Sequence, residues 1–159
     1  NEVRAKARRK KRDEGLEFIA IDYLQLMRSR TKQAENSRER EIAEISAGIK
    51  SLAKELQVPI VILAQLNRGP ETRSGKSVGV PRMSDLRESG SIEQDADMVG
   101  LLYRSAYYAE DEEEKEAEAG KAELVLAKNR NGETGHVPLT FIANLMRFES
   151  GPPAREFEA

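Results

Sequence analysis

The sequence has no cysteine and a single histidine, His136, in 159 residues. The lack of cysteine excludes disulfide bonds, thiolate metal sites and cysteine nucleophiles. One histidine is too few for a histidine-rich metal site or for the HExxH motif of zinc proteases. No apolar run approaches the ~20 residues of a membrane-spanning helix, and the N-terminal residues do not resemble a signal peptide. We therefore expect a soluble, cytoplasmic protein with no membrane partner.

Charge of either sign is abundant, but it is distributed unevenly. The 26 Lys and Arg residues and the 28 Asp and Glu residues give a net charge of −2. Residues 1–12 contain seven bases and one acid, whereas residues 110–118 contain seven acids and one base. Because binding to nucleic acid depends on local patches, the total charge does not exclude such a partner. A solvated helix face is the favoured interpretation of the basic segment, and a solvated linker that of the acidic one.

The order of apolar segments predicts an α/β fold. Residues 16–21 and 58–64 are short, apolar and rich in branched side chains, as is typical of buried strands. Between them, apolar residues recur at steps of three or four and predict an amphipathic helix that begins near Asn36 or Ser37. This apolar stripe consists of Ile42, Ile45, Ile49, Leu52 and Leu56. A strand, a helix and a strand in this order imply a right-handed crossover between parallel strands.

The remaining segments predict a second group of strands. Residues 1–14 suit a basic helix that ends at Gly15, and residues 67–83 suit a long surface loop. Residues 84–97 suggest a turn followed by a short helix. Residues 131–135, Asn-Gly-Glu-Thr-Gly, are a hairpin turn signal and predict a C-terminal antiparallel hairpin. The strands predicted in this half comprise residues 98–103, 121–127, 136–142 and 146–149.

Two polar residues follow the first two predicted strands, Asp22 after one and Gln65 after the other. In open α/β sheets, ligands gather at the carboxyl ends of parallel strands. An acid at this place can hold the Mg²⁺ shell of a nucleotide, and an amide can orient water or sense the γ-phosphate. The spacing alone favours a plainer interpretation, in which Asp22 caps a turn and Gln65 is an ordinary amide at a strand end.

The chain lacks the GxxxxGK[ST] motif, in which backbone amides and a lysine hold nucleotide phosphates. The nearest string, Gly-Pro-Glu-Thr-Arg-Ser-Gly-Lys-Ser at residues 69–77, has one residue too many, and no helical pattern follows it. The chain also begins with Asn1 inside a predicted helix. We therefore expect it to be a segment of a longer protein.

Four longer strings resemble the DnaB family of bacterial replicative DNA helicases. The most specific is Asp-Leu-Arg-Glu-Ser-Gly-Ser-Ile-Glu-Gln-Asp-Ala-Asp, thirteen consecutive positions at residues 85–97. The others lie at residues 21–27, 65–68 and 128–132, in the order of the family. The resemblance implies a truncated RecA-like P-loop NTPase core, α/β, with parallel strands and a C-terminal antiparallel hairpin. Residues 1–149 are then the motor domain from the Walker B strand onward, and residues 150–159 a C-terminal tail.

The resemblance also implies roles at the nucleotide. Asp22 matches the Walker B aspartate, which acts on Mg²⁺ through water, and Gln65 matches the sensor glutamine that couples the nucleotide to the DNA-binding loops. Lys128 and Arg130 match the pair that enters the nucleotide site of the next subunit. The cofactors implied are ATP and Mg²⁺. The P-loop and the catalytic glutamate of the family are expected upstream of Asn1.

Arg87, Glu88 and Gly90 match the loop that contacts the backbone of single-stranded DNA in the central channel of the family's ring. An arginine and a backbone amide suit phosphate oxygens, whereas Glu88 is better placed to orient a neighbouring amide or base. The implied protein is a homohexamer that translocates 5′-to-3′ and works with primase and a helicase loader. Tyr103, Tyr107 and Tyr108 are interpreted as packing residues rather than as base-stacking ones.

On this basis we expect the isolated 159 residues to be catalytically inactive. One alternative is a non-catalytic module that binds single-stranded DNA or supports assembly through the same loops. A second is a RecA- or RadA-type recombination ATPase, which is not expected to carry the thirteen-residue string.

Overall fold

The computed structural model describes residues 2–29, 31, 37–73, 79–86, 90–109 and 111–151. Its helices are α1 (Glu2–Asp13), α2 (Arg38–Leu56), α3 (Gly90–Asp95) and α4 (Glu112–Ala117). Its strands are β1 (Ile19–Ile21), β2 (Ile60–Ile62), β3 (Met98–Tyr103), β4 (Lys121–Asn129), β5 (Gly135–Ile142) and β6 (Arg147–Ser150). None of the described helices is long and apolar enough to cross a membrane. The chain divides into two compact units, Asn1–Gln65 with Leu86–Ala96, and Leu66–Asp85 with Asp97–Ala159.

The first unit contains the strand–helix–strand arrangement that the sequence predicts. β1 pairs with β2 in parallel, with Ile19 opposite Ile60 and Ile21 opposite Ile62. Both strands have three residues and are shorter than predicted. Pro59 has no amide hydrogen to donate, so β2 begins at Ile60. The Pro59 carbonyl still accepts a hydrogen bond from the Ile19 amide at 3.1 Å. The parallel pair is therefore confirmed, with shorter strands.

Helix α2 supplies most of the core of this unit through the predicted apolar stripe. Two buried groups lie along it, one of which includes Ala7 of α1 and Val58, and the other Leu24 after β1. Burying each large aliphatic side chain contributes about 1.5–3 kcal/mol. The helix therefore fixes both α1 and the segment that follows β1. The α2 members of the two groups are Ile42, Ile45, Ile49, Leu52 and Leu56.

The basic helix α1 is an exposed helix held by ion pairs. Ala7 is the buried residue of its described part. Arg8 donates two hydrogen bonds to Glu55 of α2, at 2.5 and 3.0 Å. The chain leaves the helix through Gly15, at a φ of 75° that favours glycine. The predicted helix and its end are confirmed.

The second unit contains an antiparallel sheet in the order β3–β4–β5–β6. The predicted hairpin corresponds to β4 and β5, and β3 and β6 pair with its two outer edges. Phe141 packs against Phe148 with the ring centroids 4.8 Å apart, and the Arg104 guanidinium covers the Phe141 ring. The hairpin is thus confirmed as part of a wider sheet. Its buried side chains are Val99, Leu101, Ala122 and Phe141.

The prediction of a surface loop over residues 67–83 is wrong in part. The Asp85 carboxylate accepts hydrogen bonds from the Arg73 guanidinium at 2.5 Å and from the Arg82 amide at 2.7 Å. The Asn67 amide donates to the Asp85 carbonyl at 2.8 Å, which brings the two ends of the loop together. Paired in this way, a charged group can be buried. Residues 74–78 lie outside the described residues, and the buried residues among those described between 67 and 85 are Pro70, Gly79, Pro81 and Asp85.

The acidic segment, predicted as a linker, instead contains helix α4. Asp111 caps this helix, since its carboxylate accepts a hydrogen bond from the Glu114 amide at 2.7 Å. Acidic side chains in the first turn also suit the partial positive charge of a helix N-terminus. Residue 110 lies outside the described residues. Every residue of the helix is exposed, so the expectation of a solvated segment holds although that of a linker does not.

The three tyrosines of the second unit pack on one another. The rings of Tyr103 and Tyr108 stack with centroids 6.1 Å apart, and Tyr107 meets Tyr108 edge-on at 5.1 Å. Burial raises the pKa of Tyr103 and of Tyr108, and nearby acidic side chains add to the effect. The local-packing interpretation is confirmed for Tyr103 and Tyr108, whereas Tyr107 keeps 71% of its surface exposed.

Candidate functional site

Asp22 and Gln65 lie at the carboxyl edge of the parallel sheet. Asp22 directly follows β1, and Gln65 lies three residues beyond the end of β2. The ladder continues past the strands: the Leu63 amide donates to the Ile21 carbonyl, and the Leu24 amide to the Leu63 carbonyl, both at 2.9 Å. Both candidate side chains are exposed. The structure therefore brings the two predicted residues to one edge of one sheet, where ligands of α/β proteins bind.

Gln25 holds the backbone of Gln65 through both ends of its side-chain amide. Its Nε2 donates to the Gln65 carbonyl at 3.0 Å, and its Oε1 accepts from the Gln65 amide at 3.2 Å. Two opposed hydrogen bonds fix both the position and the direction of this backbone. Sequence reasoning missed Gln25, because its role depends on a contact across 40 residues of chain. Its presence in the family-like string of residues 21–27 was the available signal.

The segment after β1 is tied to the first turns of α2. Arg38 donates to the carbonyls of Gln25 at 2.8 Å and Met27 at 3.2 Å, and it forms an ion pair with Glu41. The Ser29 amide donates to the Glu41 carboxylate at 2.9 Å. Burial raises the pKa of Glu41, but Arg38 and the Ser29 amide outweigh this effect and hold the pKa below its usual range. A charged carboxylate therefore anchors the segment.

Asp22 is suited to a metal ion that arrives with a nucleotide. The described residues contain no group of three or more His, Asp or Glu side chains placed to hold a metal. Tyr23 lines a recess of about 390 Å³ together with Leu63, Ala64 and Gln65. Mg²⁺ usually keeps several waters and takes one or two carboxylates with substrate phosphates. A single exposed carboxylate fits that pattern.

The three residues assigned to DNA are described only in part. Arg87 and Glu88 lie outside the described residues. Gly90 is the first residue of α3, and a side-chain carbon built there meets no other atom within 4 Å. Packing within this unit therefore does not require glycine at that position. Ile92 packs against the buried group around Ile42, so α3 is anchored to the core of the first unit.

Lys128 and Arg130 belong to the second unit, where a β-bulge sets their direction. The register of β3 and β4 shifts between Val99 and Gly100, which makes Ala127 the extra residue of β4. One extra residue reverses the alternation of side chains beyond it. The bulge therefore turns Lys128 and Arg130 to the face opposite the one that a regular ladder would give them.

Asn129 holds the turn that follows β4. Its Nδ2 donates to the Glu133 carbonyl at 3.1 Å, and its Oδ1 accepts from the Asn131 amide at 3.3 Å. A side-chain carbon at Gly132 would come within 2.8 Å of the Asn129 Nδ2. Glycine at this position therefore allows the compact turn. Sequence reasoning predicted the turn but gave Asn129 no role.

Arg130 contacts Asp97, the residue before β3. The Arg130 amide donates to the Asp97 carbonyl at 2.8 Å, and the guanidinium Nη1 donates to the carboxylate Oδ1 at 3.1 Å. About half of each side chain is exposed. Asp97 is the last residue of the thirteen-residue string, and sequence reasoning gave it no role.

Comparison with known proteins places these features in a family. A family model described as the DnaB-like helicase C terminal domain matches residues 1–150. The replicative DNA helicase DnaB of Leifsonia xyli is 52% identical over 152 residues, which cover 96% of this chain and 31% of the relative. The replicative DNA helicase DnaC of Bacillus subtilis is 49% identical, with coverages of 93% and 31%. The chain spans about a third of the length of these curated relatives.

Solved structures resemble the chain over nearly its whole length. A solved structure described as an ATPase domain has a TM-score of 0.81 at 39% identity, and the match covers 94% of this chain and 50% of that chain. A DnaB-like replicative helicase, described with its interactions with primase, has a TM-score of 0.75 at 40% identity, with coverages of 89% and 33%. These likenesses confirm the predicted RecA-like α/β fold.

Proposed function

The chain belongs to the family of DnaB-like helicase C-terminal domains, and we propose that it forms the C-terminal part of the motor of a replicative DNA helicase. In the whole protein, this motor couples ATP hydrolysis to 5′-to-3′ translocation on single-stranded DNA and to unwinding of the duplex. The observation that carries the proposal is the position of Asp22 and Gln65 at one edge of a parallel sheet, in a chain that matches this family almost throughout.

Asp22 and Gln65 are the residues of the first unit that we assign to the nucleotide. Asp22 would hold, through water, the Mg²⁺ of a bound ATP, and this ion would supply positive charge beside the phosphates. Gln65 senses the state of the nucleotide from a backbone position that Gln25 fixes. This assignment is supported by the exposure of both side chains.

Lys128 and Arg130 act on the nucleotide of the next subunit in a homohexamer. Such an arginine stabilises the negative charge that develops on the transferred phosphoryl group, with effects on the order of 10³–10⁵ in rate in other nucleotide hydrolases. The β-bulge at Ala127 and the turn held by Asn129 support this role, because they give the pair a defined direction.

Arg87, Glu88 and Gly90 are proposed to contact the backbone of single-stranded DNA, with Glu88 orienting a neighbouring group rather than a phosphate. We also propose that the whole protein works in the cytoplasm with primase and a helicase loader, through regions outside or beside this segment. The relative described with its primase interactions supports the primase part. Residues 1–149 then form part of the motor domain, and residues 150–159 its C-terminal tail.

A comparison of the isolated chain with the full-length protein that carries it tests the proposal. The isolated 159 residues should show no ATP turnover above the blank, because they lack the phosphate-binding motif. The full-length protein should hydrolyse ATP in the presence of single-stranded DNA, and Asp22→Ala should abolish this activity. Asp13→Ala, which removes an exposed carboxylate at the end of α1, is the matched control and should leave the activity unchanged.

Turnover by the isolated chain that Asp22→Ala abolishes would contradict the expected inactivity. A full-length protein whose hydrolysis survives Asp22→Ala would contradict the assignment of Asp22.

The lack of a GxxxxGK[ST] motif within these residues favours one other function, a non-catalytic module that binds single-stranded DNA or supports assembly. The reading frame upstream of Asn1 distinguishes the two functions. A phosphate-binding motif encoded there supports the motor, and a natural start codon at this position supports the module. The RecA- or RadA-type alternative has no comparable support, since the matched family is that of the DnaB-like helicases.

A further inference from the structure

Asp97 lies directly opposite Arg130, one step beyond the last pair of the β3–β4 ladder. Met98 pairs with Asn129, and the next step is the hydrogen bond from the Arg130 amide to the Asp97 carbonyl. Side chains opposite each other on antiparallel strands share a face and lie within reach. The register therefore brings the Asp97 carboxylate to the guanidinium, with 3.1 Å between Oδ1 and Nη1.

The two contacts constrain Arg130 in different ways. The main-chain hydrogen bond fixes where the side chain begins, and the carboxylate limits the directions that the guanidinium takes. The Arg130 side chain keeps 48% of its surface exposed and that of Asp97 keeps 52%. A phosphate can therefore reach the guanidinium while Asp97 holds it.

We propose that Asp97 is a positioning residue for Arg130 in ATP hydrolysis. Asp97 orients the guanidinium before the phosphate contact forms, so less side-chain freedom is lost at that step. In this role Asp97 touches neither nucleotide nor DNA. The inference rests on the proposed function of Arg130 at the nucleotide of the neighbouring subunit.

The exposure of the pair sets the size of the effect. Exposed ion pairs contribute only a modest free energy when they are measured in double-mutant cycles. A free energy of that size corresponds to a loss of kcat of roughly two- to fivefold for Asp97→Ala. The KM for ATP stays unchanged, because Asp97 makes no contact with substrate. Asp97→Asn keeps the hydrogen-bond acceptor without the charge, so its loss is smaller. The main-chain hydrogen bond remains in both variants, which preserves the strand pairing.

The experiment is a double-mutant cycle in the full-length helicase ring, with Asp97→Ala, Arg130→Ala and the double variant. Single-turnover ATP hydrolysis with enzyme in excess measures even the slow Arg130→Ala rings. We expect Asp97→Ala to lower the rate in the parent ring and to have no effect in the Arg130→Ala ring. Glu149→Ala removes the carboxylate of the exposed Arg147–Glu149 pair in the same sheet, and as the control it should leave the rate unchanged.

Four other outcomes would contradict either the positioning role of Asp97 or the proposed role of Arg130. An equal loss from Asp97→Ala in both rings assigns Asp97 a merely structural role and overturns the inference. An active Asp97→Ala ring beside a severely impaired Arg130→Ala ring overturns the inference but leaves the proposed function intact. A fully active Arg130→Ala ring overturns the proposed role of Arg130 itself. A loss from Glu149→Ala as large as that from Asp97→Ala shows a non-specific effect and also overturns the inference.

Discussion

Replacing Asp85 with alanine should lower the free energy of unfolding of the second unit by about 3–5 kcal/mol, the usual cost of removing one partner from a buried ion pair. The Asp85 side chain is 4% exposed and that of Arg73 is 20% exposed. Without Asp85, the Arg73 guanidinium stays largely buried with no carboxylate beside it. The Arg82 amide also loses its acceptor. The loop from Asn67 onward is then no longer held by this carboxylate.

A change of this size is large for a domain whose total stability is about 5–15 kcal/mol. For a chain of this length, each kcal/mol lost from the free energy of unfolding lowers the Tm by about 2–4 °C, so the Tm should fall by roughly 6–20 °C. Urea unfolding followed by tyrosine fluorescence measures the change, because the chain has no tryptophan and three of its four tyrosines lie in the second unit. The midpoint should fall while the slope with urea stays the same.

Two further variants show how much of the loss in stability comes from leaving a buried charge without its partner. Glu149→Ala breaks an exposed ion pair with Arg147 and should cost no more than about 1 kcal/mol. The double variant Arg73→Met/Asp85→Leu removes both buried charges and should be more stable than Asp85→Ala. If Asp85→Ala costs no more than Glu149→Ala, the buried pair is no stronger than a surface pair, and the reasoning is refuted.

Two other predictions concern acid sensitivity and a close backbone contact. The pKa of Glu41 is lower in the folded protein than in the unfolded chain, where it is about 4.3. The charged carboxylate therefore stabilises the fold above about pH 4.3, and this stabilisation is lost as the pH falls through the lower, folded pKa. Glu41→Gln should therefore reduce the acid-induced fall of the urea midpoint below about pH 4.3, and an unaltered pH profile would contradict this. Gly79 has a φ of 72°, and a side-chain carbon there would lie 2.2 Å from the Tyr108 ring, so Gly79→Ala should lower stability by about 1–3 kcal/mol in a thermal melt. Gly48→Ala in α2, where the added carbon meets no neighbour within 4 Å, is the control and should instead stabilise by about 0.5–1 kcal/mol.

Periodic segments of the fold could be predicted from the sequence. The stripe from Ile42 to Leu56 predicts the α2 face that forms the core, because burial on one helix face imposes a repeat that is readable along the chain. The β3 strand is likewise predicted with its observed bounds. Asp22 and Gln65 lie at the same edge of the sheet as expected, because any parallel pair of strands places its carboxyl ends at one edge.

Contacts between distant residues could not be predicted in the same way. The partner of Asp85 is Arg73, and nothing in the composition of the loop distinguishes that arginine from the other bases nearby. The pairing of Arg130 with Asp97 depends on a register that includes the bulge at Ala127, so counting residues along a regular ladder would give the wrong face. The helix α4 did have a readable signal, since Asp111 precedes Glu114 at the spacing of a capping box.

The contacts beside the residues proposed to act on the nucleotide differ in kind from those that stabilise the fold. Asp85 is buried, and its replacement is expected to lower the free energy of unfolding. Gln25 and Asp97 are partly exposed, so their contacts contribute little to stability. Each instead fixes a group across a long stretch of chain, the backbone of Gln65 in one unit and the side chain of Arg130 in the other. Strands as short as β1 and β2 provide few ladder hydrogen bonds, so the Gln25 contact adds constraint to their edge of the sheet. A variant at Gln25 or Asp97 should therefore be detected in the rate of hydrolysis, where a small error in position is costly, well before it is detected in a melting curve.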